Sequence, residues 1–261
     1  MAITLARATF GLVVFQLSML SAFAIYNDSI WVRDVSYDDL SSLDADNASF
    51  AVKTELQCAR SCQGNTSCNS FFYNSVTKQC RLQRYVFVSA ANSTVSDTGS
   101  RYYRLMSGSC PLEEGYIIDR LTSTCYRPVK SPALMWEDAE SVCGAAGGSL
   151  AVLEPIERLD FLYNFFIRNR EFYSYKRAYM IGMSRPTGMW DSPLPGGIPD
   201  HVWVNGQPVD FMATAPYWKP GAPDSGNSGN IGIMRHGKGF LLDDAPNTQN
   251  RRYVCQKVYR E

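Results

Sequence analysis

SPALMWEDAESVCGAAGGSLAVL, residues 131–153, is the stretch whose reading decides the fold. It carries the clearest helical pattern in the chain. Ser131 offers an N-cap hydroxyl, and Pro132 suits a first helical turn, where its missing N–H would have no partner anyway. Met135 and Trp136 open an apolar face that Ala139, Val142 and Cys143 continue at helical spacing. Gly147-Gly148 can end the helix, so a helix over 131–150 is expected. A second follows from about Pro155 to Asn169, with Ile156, Leu159, Leu162 and Phe166 as its stripe. Both stripes read as core packing.

Beyond Tyr179 the chain becomes turn-rich. Short strands are expected at residues 179–183, 201–204, 230–234, 239–243 and 252–258. Upstream, TELQCARSC (54–62) reads as a short helix capped by Thr54, with Cys58 and Cys62 one turn apart on one face. CNSFFYNS (68–75), QCRLQRYVFV (79–88) and RYYRL (101–105) read as strands. The chain thus reads as a mixture of helices and short strands, fold class α+β.

The eight cysteines form two groups of four. Cys58, Cys62, Cys68 and Cys80 make the first; Cys110, Cys125, Cys143 and Cys255 make the second. An even count, with only two histidines and no paired C-x-x-C, argues for bridges in an oxidising compartment rather than zinc. Composition leaves three pairings open within each group. Between the groups, residues 107–109 read as a small flexible linker after Met106.

The N-terminus fits a secreted chain. Arg7, an apolar run over 10–20 and Ala22-Phe23-Ala24 have the form of a signal peptide spanning residues 1–24. That run is short for a membrane span, and no other stretch approaches one. Lys plus Arg equals Asp plus Glu at 25 each; losing Arg7 leaves 24 against 25, a net charge of −1. With no basic block, nucleic acid is not an expected partner. Asn-x-Ser/Thr sequons at Asn27, Asn47, Asn65 and Asn92 all fall in the first half, which suggests glycans there and a bare second half.

Cys58-x3-Cys62-x5-Cys68, then Phe72-Tyr73 and Cys80-x-Leu82, resembles the PAN/apple domain, over roughly residues 25–106. The resemblance implies a helix pinned to a curved sheet through Cys58–Cys80 and Cys62–Cys68. From Cys110 onward the chain resembles a C-type lectin-like domain, over 110–261. The motifs occur in order: the Cys110–Cys125 hairpin, WEDAESVC, GGSLAVL, MIGM, WVNGQPVDF, YWKPGAPD, LLDD and YVCQK. The resemblance implies two helices, antiparallel sheets, a long loop region, and bridges Cys110–Cys125 and Cys143–Cys255. Family members often have one further bridge, whose positions here are Gly232 and Asn247. Its loss predicts a loosely held segment over 234–252.

In sugar-binding members of that family, a calcium ion sits among oxygen ligands from two segments, and vicinal sugar hydroxyls complete its shell. The corresponding residues here are Ala222-Pro223-Asp224, Asn230 and Leu242-Asp243-Asp244. Ala222 carries no ligand, which leaves Asp224, Asn230, Asp243 and Asp244 as candidate metal and carbohydrate ligands. Two readings stand. Either the carboxylates share a cation, without which they would repel or one would take up a proton. Or they cap turns in a Gly-rich loop, as Asp and Asn commonly do. Trp203 and Trp218 read as core; His236 and Phe240 are possible contact residues.

No arrangement for catalysis is present. DSGNSGN (224–230) is neither G-x-S-x-G nor a serine-protease neighbourhood, and no zinc-protease helix, phosphate loop or dinucleotide fingerprint occurs. The expected function is therefore recognition: a secreted lectin-type protein binding glycans or glycoproteins, with calcium as a possible cofactor. The alternative is a calcium-independent protein-binding or extracellular-matrix module on the same scaffold. In either case the PAN/apple-like half could add a protein contact.

Overall fold

The computed structural model describes residues 23–26, 29–43, 49–89, 94–106, 110–170, 172–173, 178–185, 201–224, 230–235, 237 and 239–259. Most of residues 1–24, the sequons at Asn27, Asn47 and Asn92, the 107–109 spacer and His236 lie outside these.

The N-terminal half is one helix on a six-stranded antiparallel sheet. Its strands are β1 (Phe23–Tyr26), β2 (Ser29–Asp34), β4 (Phe50–Ala51), β5 (Ser70–Asn74), β6 (Gln79–Gln83) and β8 (Ser100–Met106), in the order β1-β2-β8-β5-β6-β4. β3 (Leu40–Ser42) and β7 (Thr94–Ser96) form a separate pair. Helix α1 runs Glu55–Gln63, and the Thr54 hydroxyl accepts the Gln57 N–H at 3.3 Å, as an N-cap should. Its buried face is Cys58, Ala59 and Cys62. Cys58 bridges to Cys80 on β6, and Cys62 to Cys68 just past the helix.

Every residue of β5 is buried, because both faces of this central strand are covered. Phe71 stacks on Tyr103 at 4.9 Å and meets Trp31 edge-on at 5.2 Å. Phe72 packs in a second cluster with Tyr37, Phe87 and Tyr102. The continuous apolar run SFFY follows from this double burial. β6 stops at Gln83, so the strand expected over 79–88 is shorter than its alternation suggested.

The C-terminal half contains an eight-stranded sheet. Its main path is β15-β14-β12-β16-β10-β9, with β11 on β16 and β13 on β12. The elements are β9 (Ile117–Asp119), β10 (Thr124–Leu134), α2 (Trp136–Ala145), β11 (Ser149–Leu150), α3 (Ile156–Arg168), β12 (Ala178–Ser184), β13 (Val202–Trp203), α4 (Phe211–Thr214), β14 (Ile231–Arg235), β15 (Leu241–Ala245) and β16 (Arg251–Val258). Pairing is antiparallel except between β12 and β16. Cys110 bridges to Cys125, and Cys143 on α2 to Cys255 on β16, 112 residues away. Such a closure removes about 5 kcal/mol of unfolded-chain entropy in the loop model.

The start of α2 differs from the expectation. Ser131 and Pro132 belong to β10, whose Leu134 still pairs with Arg251 on β16. Ser131 and Pro132 fall in the irregular stretch of β10 between Val129 and Leu134, where the ladder with β16 is broken and a proline is tolerated. The helix begins at Trp136, whose indole N–H donates to Ile181 O at 3.0 Å.

The two halves share a core. One buried cluster joins Trp31, Cys58, Phe71, Tyr103 and Leu105 with Cys110, Tyr116, Ile118 and Cys125. Arg120, in the β9–β10 turn, reaches the end of α1. Its Nη1 lies within 3.1 Å of the carbonyls of Cys62, Asn65 and Cys68, and its Nη2 donates to Gln63 O at 3.0 Å. Asn169, at the end of α3, accepts the Val88 N–H at 2.7 Å and donates to Val86 O at 3.0 Å. Whatever the 107–109 spacer does, the flanking halves are packed and hydrogen-bonded together. Among the described residues, no helix is long and apolar enough to cross a membrane.

Candidate functional site

The site lies at the β15 edge of the large sheet. Trp218 forms a parallel bridge with Leu242, and the Lys219 N–H donates to Leu242 O at 2.9 Å. The chain then turns back, with Ala222 N–H donating to Lys219 O at 2.9 Å and Gly221 at φ 86°, a conformation that favours glycine. This turn carries Asp224 alongside β15, where its N–H donates to Asp244 Oδ1 at 2.8 Å. β15 is itself fixed by β14, with Ile233 opposite Asp243 and Gly232 opposite Asp244.

Asp224, Asp243 and Asp244 thereby converge. One carboxylate oxygen from each lies within 4.8 Å of the others. Asp243 and Asp244 are buried, whereas the Asp224 side chain is about half exposed at 48%. Asn230 stands just before β14; its N–H donates to Ala245 O and its carbonyl accepts the Arg185 N–H, both at 2.9 Å.

Two cations already occupy this patch. Lys219 Nζ lies 2.8 Å from Asp224 Oδ2 and 3.2 Å from Asp243 Oδ1. Arg235 Nε lies 2.7 Å from Asp243 Oδ2. Burying Asp243 without compensation would cost several kcal/mol, on the order expected for an unpaired interior ion. The two cations offset part of that penalty, although Asp243 Oδ1 accepts no hydrogen bond. The hydrogen bond and charge of Lys219 hold the Asp224 carboxyl below its ordinary range, and Asp224, ahead of Asp243, raises the Lys219 ammonium. The proton uptake that a bare carboxylate cluster would show is thus reversed at Asp224.

Calcium asks for six to eight oxygens. Here three carboxylates share two side-chain cations, and one carboxylate oxygen is spent on a backbone N–H. The three carboxylates are close enough to share an ion, but any ion placed there competes with the Lys219 ammonium already beside Asp224 and Asp243.

Lys219 and Arg235 were not among the sequence-derived candidates. A signal existed for the first: Lys219 stands five positions before Asp224 in YWKPGAPD, on the same short loop. Gly232 also has a structural reason. A Cβ there would sit 2.5 Å from Met183 Cε and 2.7 Å from Met183 Cβ. Asn247 accepts the Trp136 N–H at 3.2 Å and donates to Glu137 Oε2 at 2.7 Å, tying its loop to α2. Among the described residues of the segment expected to be loosely held, β15 pairs with β14 at five positions and Asn247 is tied to α2.

The remaining candidates divide. Trp203 and Trp218 are core residues, the latter donating from its indole to Thr214 Oγ1 at 2.9 Å. Phe240 is not a contact residue: it is buried and stacks on Phe166 at 4.7 Å. Asn65 is exposed, and its Oδ1 accepts from the Ser67 N–H at 3.0 Å and the Ser67 hydroxyl at 2.8 Å.

The helix pinned to an antiparallel sheet by Cys58–Cys80 and Cys62–Cys68 has a counterpart among known families. Residues 33–110 match the PAN domain. The PAN domain of this chain thus takes in α1 and most of the first sheet, and it is the half whose core runs into the β9–β10 hairpin. A comparison with curated protein sequences finds no match. Among solved structures, this chain is similar over part of its length to C-type lectin domains. The C-type lectin domain of murine dendritic cell inhibitory receptor 2, solved in complex with N-glycan, is 22% identical with a TM-score of 0.40, covering 52% of this chain and 92% of that one. Human lithostathine is 24% identical with a TM-score of 0.44, covering 58% and 92%. The C-type lectin CEL-I from Cucumaria echinata is 20% identical with a TM-score of 0.40, covering 52% and 92%.

Proposed function

We propose that this chain is a secreted, non-enzymatic recognition protein whose C-terminal carboxylate patch binds glycan hydroxyls without a resident calcium ion. The observation that carries this reading is the ammonium of Lys219 lying between Asp224 and Asp243, at 2.8 and 3.2 Å. A half-exposed carboxylate beside a fixed ammonium offers an acceptor and a donor side by side. Vicinal sugar hydroxyls, each able to donate and accept, complement that pair through charge-assisted hydrogen bonds. Four disulfides support an oxidising, extracellular location.

The test is calorimetric titration of the full chain with galactose- and mannose-terminated oligosaccharides, in chelator and in calcium. The reading expects equal binding in both conditions and loss on Lys219→Met. Binding that vanishes in chelator would restore the calcium-bridged mechanism. Absence of binding to any saccharide would favour the protein-binding alternative.

A further inference from the structure

The loop that carries Lys219 is held by a chain of hydrogen bonds that begins in the PAN domain. Arg84 and Tyr85 follow β6, and both donate to one oxygen of Asp160 on α3. Arg84 Nη1 reaches Oδ2 at 2.7 Å, and Tyr85 Oη reaches the same oxygen at 3.1 Å. The other oxygen, Oδ1, accepts Asn164 Nδ2 and Tyr217 Oη, each at 2.9 Å. A carboxylate is planar and accepts at both oxygens, so fixing Oδ2 aims Oδ1. The Arg84 contact is charge-assisted and therefore among the stronger hydrogen bonds. Arg84 is itself held, with Nη2 donating to Glu157 O at 3.0 Å.

Tyr217 closes the 3-10 turn Ala215–Tyr217, and Trp218 and Lys219 come next. Its ring meets Tyr163 of α3 edge-on at 5.3 Å. Trp218 is buried and bridges to Leu242, and the Lys219 N–H reaches Leu242 O at 2.9 Å. Lys219 thus stands between two anchors: the Leu242 carbonyl on β15 and the Tyr217 hydroxyl two residues upstream. Its ammonium has to meet Asp224 at 2.8 Å and Asp243 at 3.2 Å. Contacts of that length weaken steeply with displacement, so the patch depends on where the loop is held.

We propose that the PAN domain positions the Lys219 patch through Arg84, Asp160 and Tyr217, which makes Arg84 and Tyr217 positioning residues for ligand binding at a site they do not form. The proposal rests on the reading of that patch as the ligand site. It gives the shared core of the two halves a functional consequence: the PAN domain sets the geometry of a site on the other half.

The experiment follows amide hydrogen exchange by NMR in the full chain, without ligand, and then saccharide affinity by calorimetry. Tyr217→Phe keeps the ring and removes only the hydroxyl; Arg84→Gln removes the charge that fixes Oδ2. Each should speed exchange of the Lys219 amide by about tenfold, as local opening does. The Ala151 amide, which donates to Val254 O at 2.9 Å in the sheet, should not change. Saccharide affinity should fall by about threefold to thirtyfold, the range of coupling along such networks. Arg84→Lys should recover part of both effects, and the double variant should exceed the stronger single variant by little, because the two act through one carboxylate.

Unchanged Lys219 exchange in both variants would overturn the proposal. So would equal acceleration at Lys219 and Ala151, which is global destabilisation, or full additivity in the double variant. A wild-type chain that binds no saccharide sinks the ligand-site reading instead, whereas unchanged exchange with intact saccharide binding sinks the positioning role alone.

Discussion

Arg84 of the PAN domain places its guanidinium 2.7 Å from the carboxylate of Asp160 on α3. The same carboxylate accepts Tyr85 Oη at 3.1 Å, Tyr217 Oη at 2.9 Å and Asn164 Nδ2 at 2.9 Å. Burial, reinforced by Asp160, pushes the phenols of Tyr85 and Tyr217 up to about 12, so both remain hydrogen donors at physiological pH. One side chain therefore ties three elements from both halves. Asp160→Ala should cost about 2 kcal/mol, the scale for losing a partly buried charged acceptor. Urea denaturation measures it, and the wild-type chain should unfold in a single transition, reported alike by probes in either half.

Arg120 makes a second tie, of different chemistry. Its guanidinium meets four carbonyls at the end of α1 and the following turn, although Nη1 carries only two hydrogens for three of them. Arg120→Ala should destabilise the chain by about 2 kcal/mol, since it leaves helix-end carbonyls without their donor. Arg120→Lys should recover only part of this, because a single ammonium cannot span the same set. Thermal denaturation of the three proteins orders them.

Asp119 is fully buried, and burial raises its carboxyl above the ordinary range despite the Thr122 hydroxyl donating at 2.7 Å. A carboxyl with a raised folded value favours the fold in its protonated form. Its contribution is complete at low pH and is lost as pH rises through that value. Asp119→Asn, which mimics the protonated form, should raise the melting temperature at neutral pH. The gain should disappear below the ordinary aspartate range, about pH 3. A gain that persists in acid would argue for packing instead.

Asp224 behaves in the opposite sense. Lys219 lowers its value, so its contribution is present above the ordinary carboxylate range and is lost as pH falls through the lowered value. Carbon-detected NMR titration should place its midpoint below about 3.9, the unperturbed value for aspartate. In Lys219→Met the midpoint should rise toward that value.

Much of this was legible in the sequence, and the failures are instructive. α1 and α3 follow the expected ranges within a residue or so, because each has a periodic stripe and α1 has a hydroxyl cap. The early start assigned to α2 came from Ser131-Pro132, a good helix opening in isolation that long-range pairing with β16 converts to strand. Phe240 looked like a loop contact because nothing local reveals its stacking on Phe166. The carboxylates of the site were visible as acidic motifs. The cations were harder to see: Lys219 shows its nearness to Asp224 but meets Asp243 only through the Trp218–Leu242 bridge, and Arg235 meets Asp243 only through the β14–β15 register. The shared core of the two halves was equally hidden, since a short Gly-Ser spacer suggests independence whatever its flanks do.

Calcium titration into the metal-free full chain is the most direct measurement. If Lys219 serves in place of an ion, calorimetry should record no saturable heat at millimolar calcium, and Lys219→Met should be the variant that gains binding. Micromolar, single-site calcium uptake by the wild-type chain, abolished by Asp243→Asn, would contradict the account.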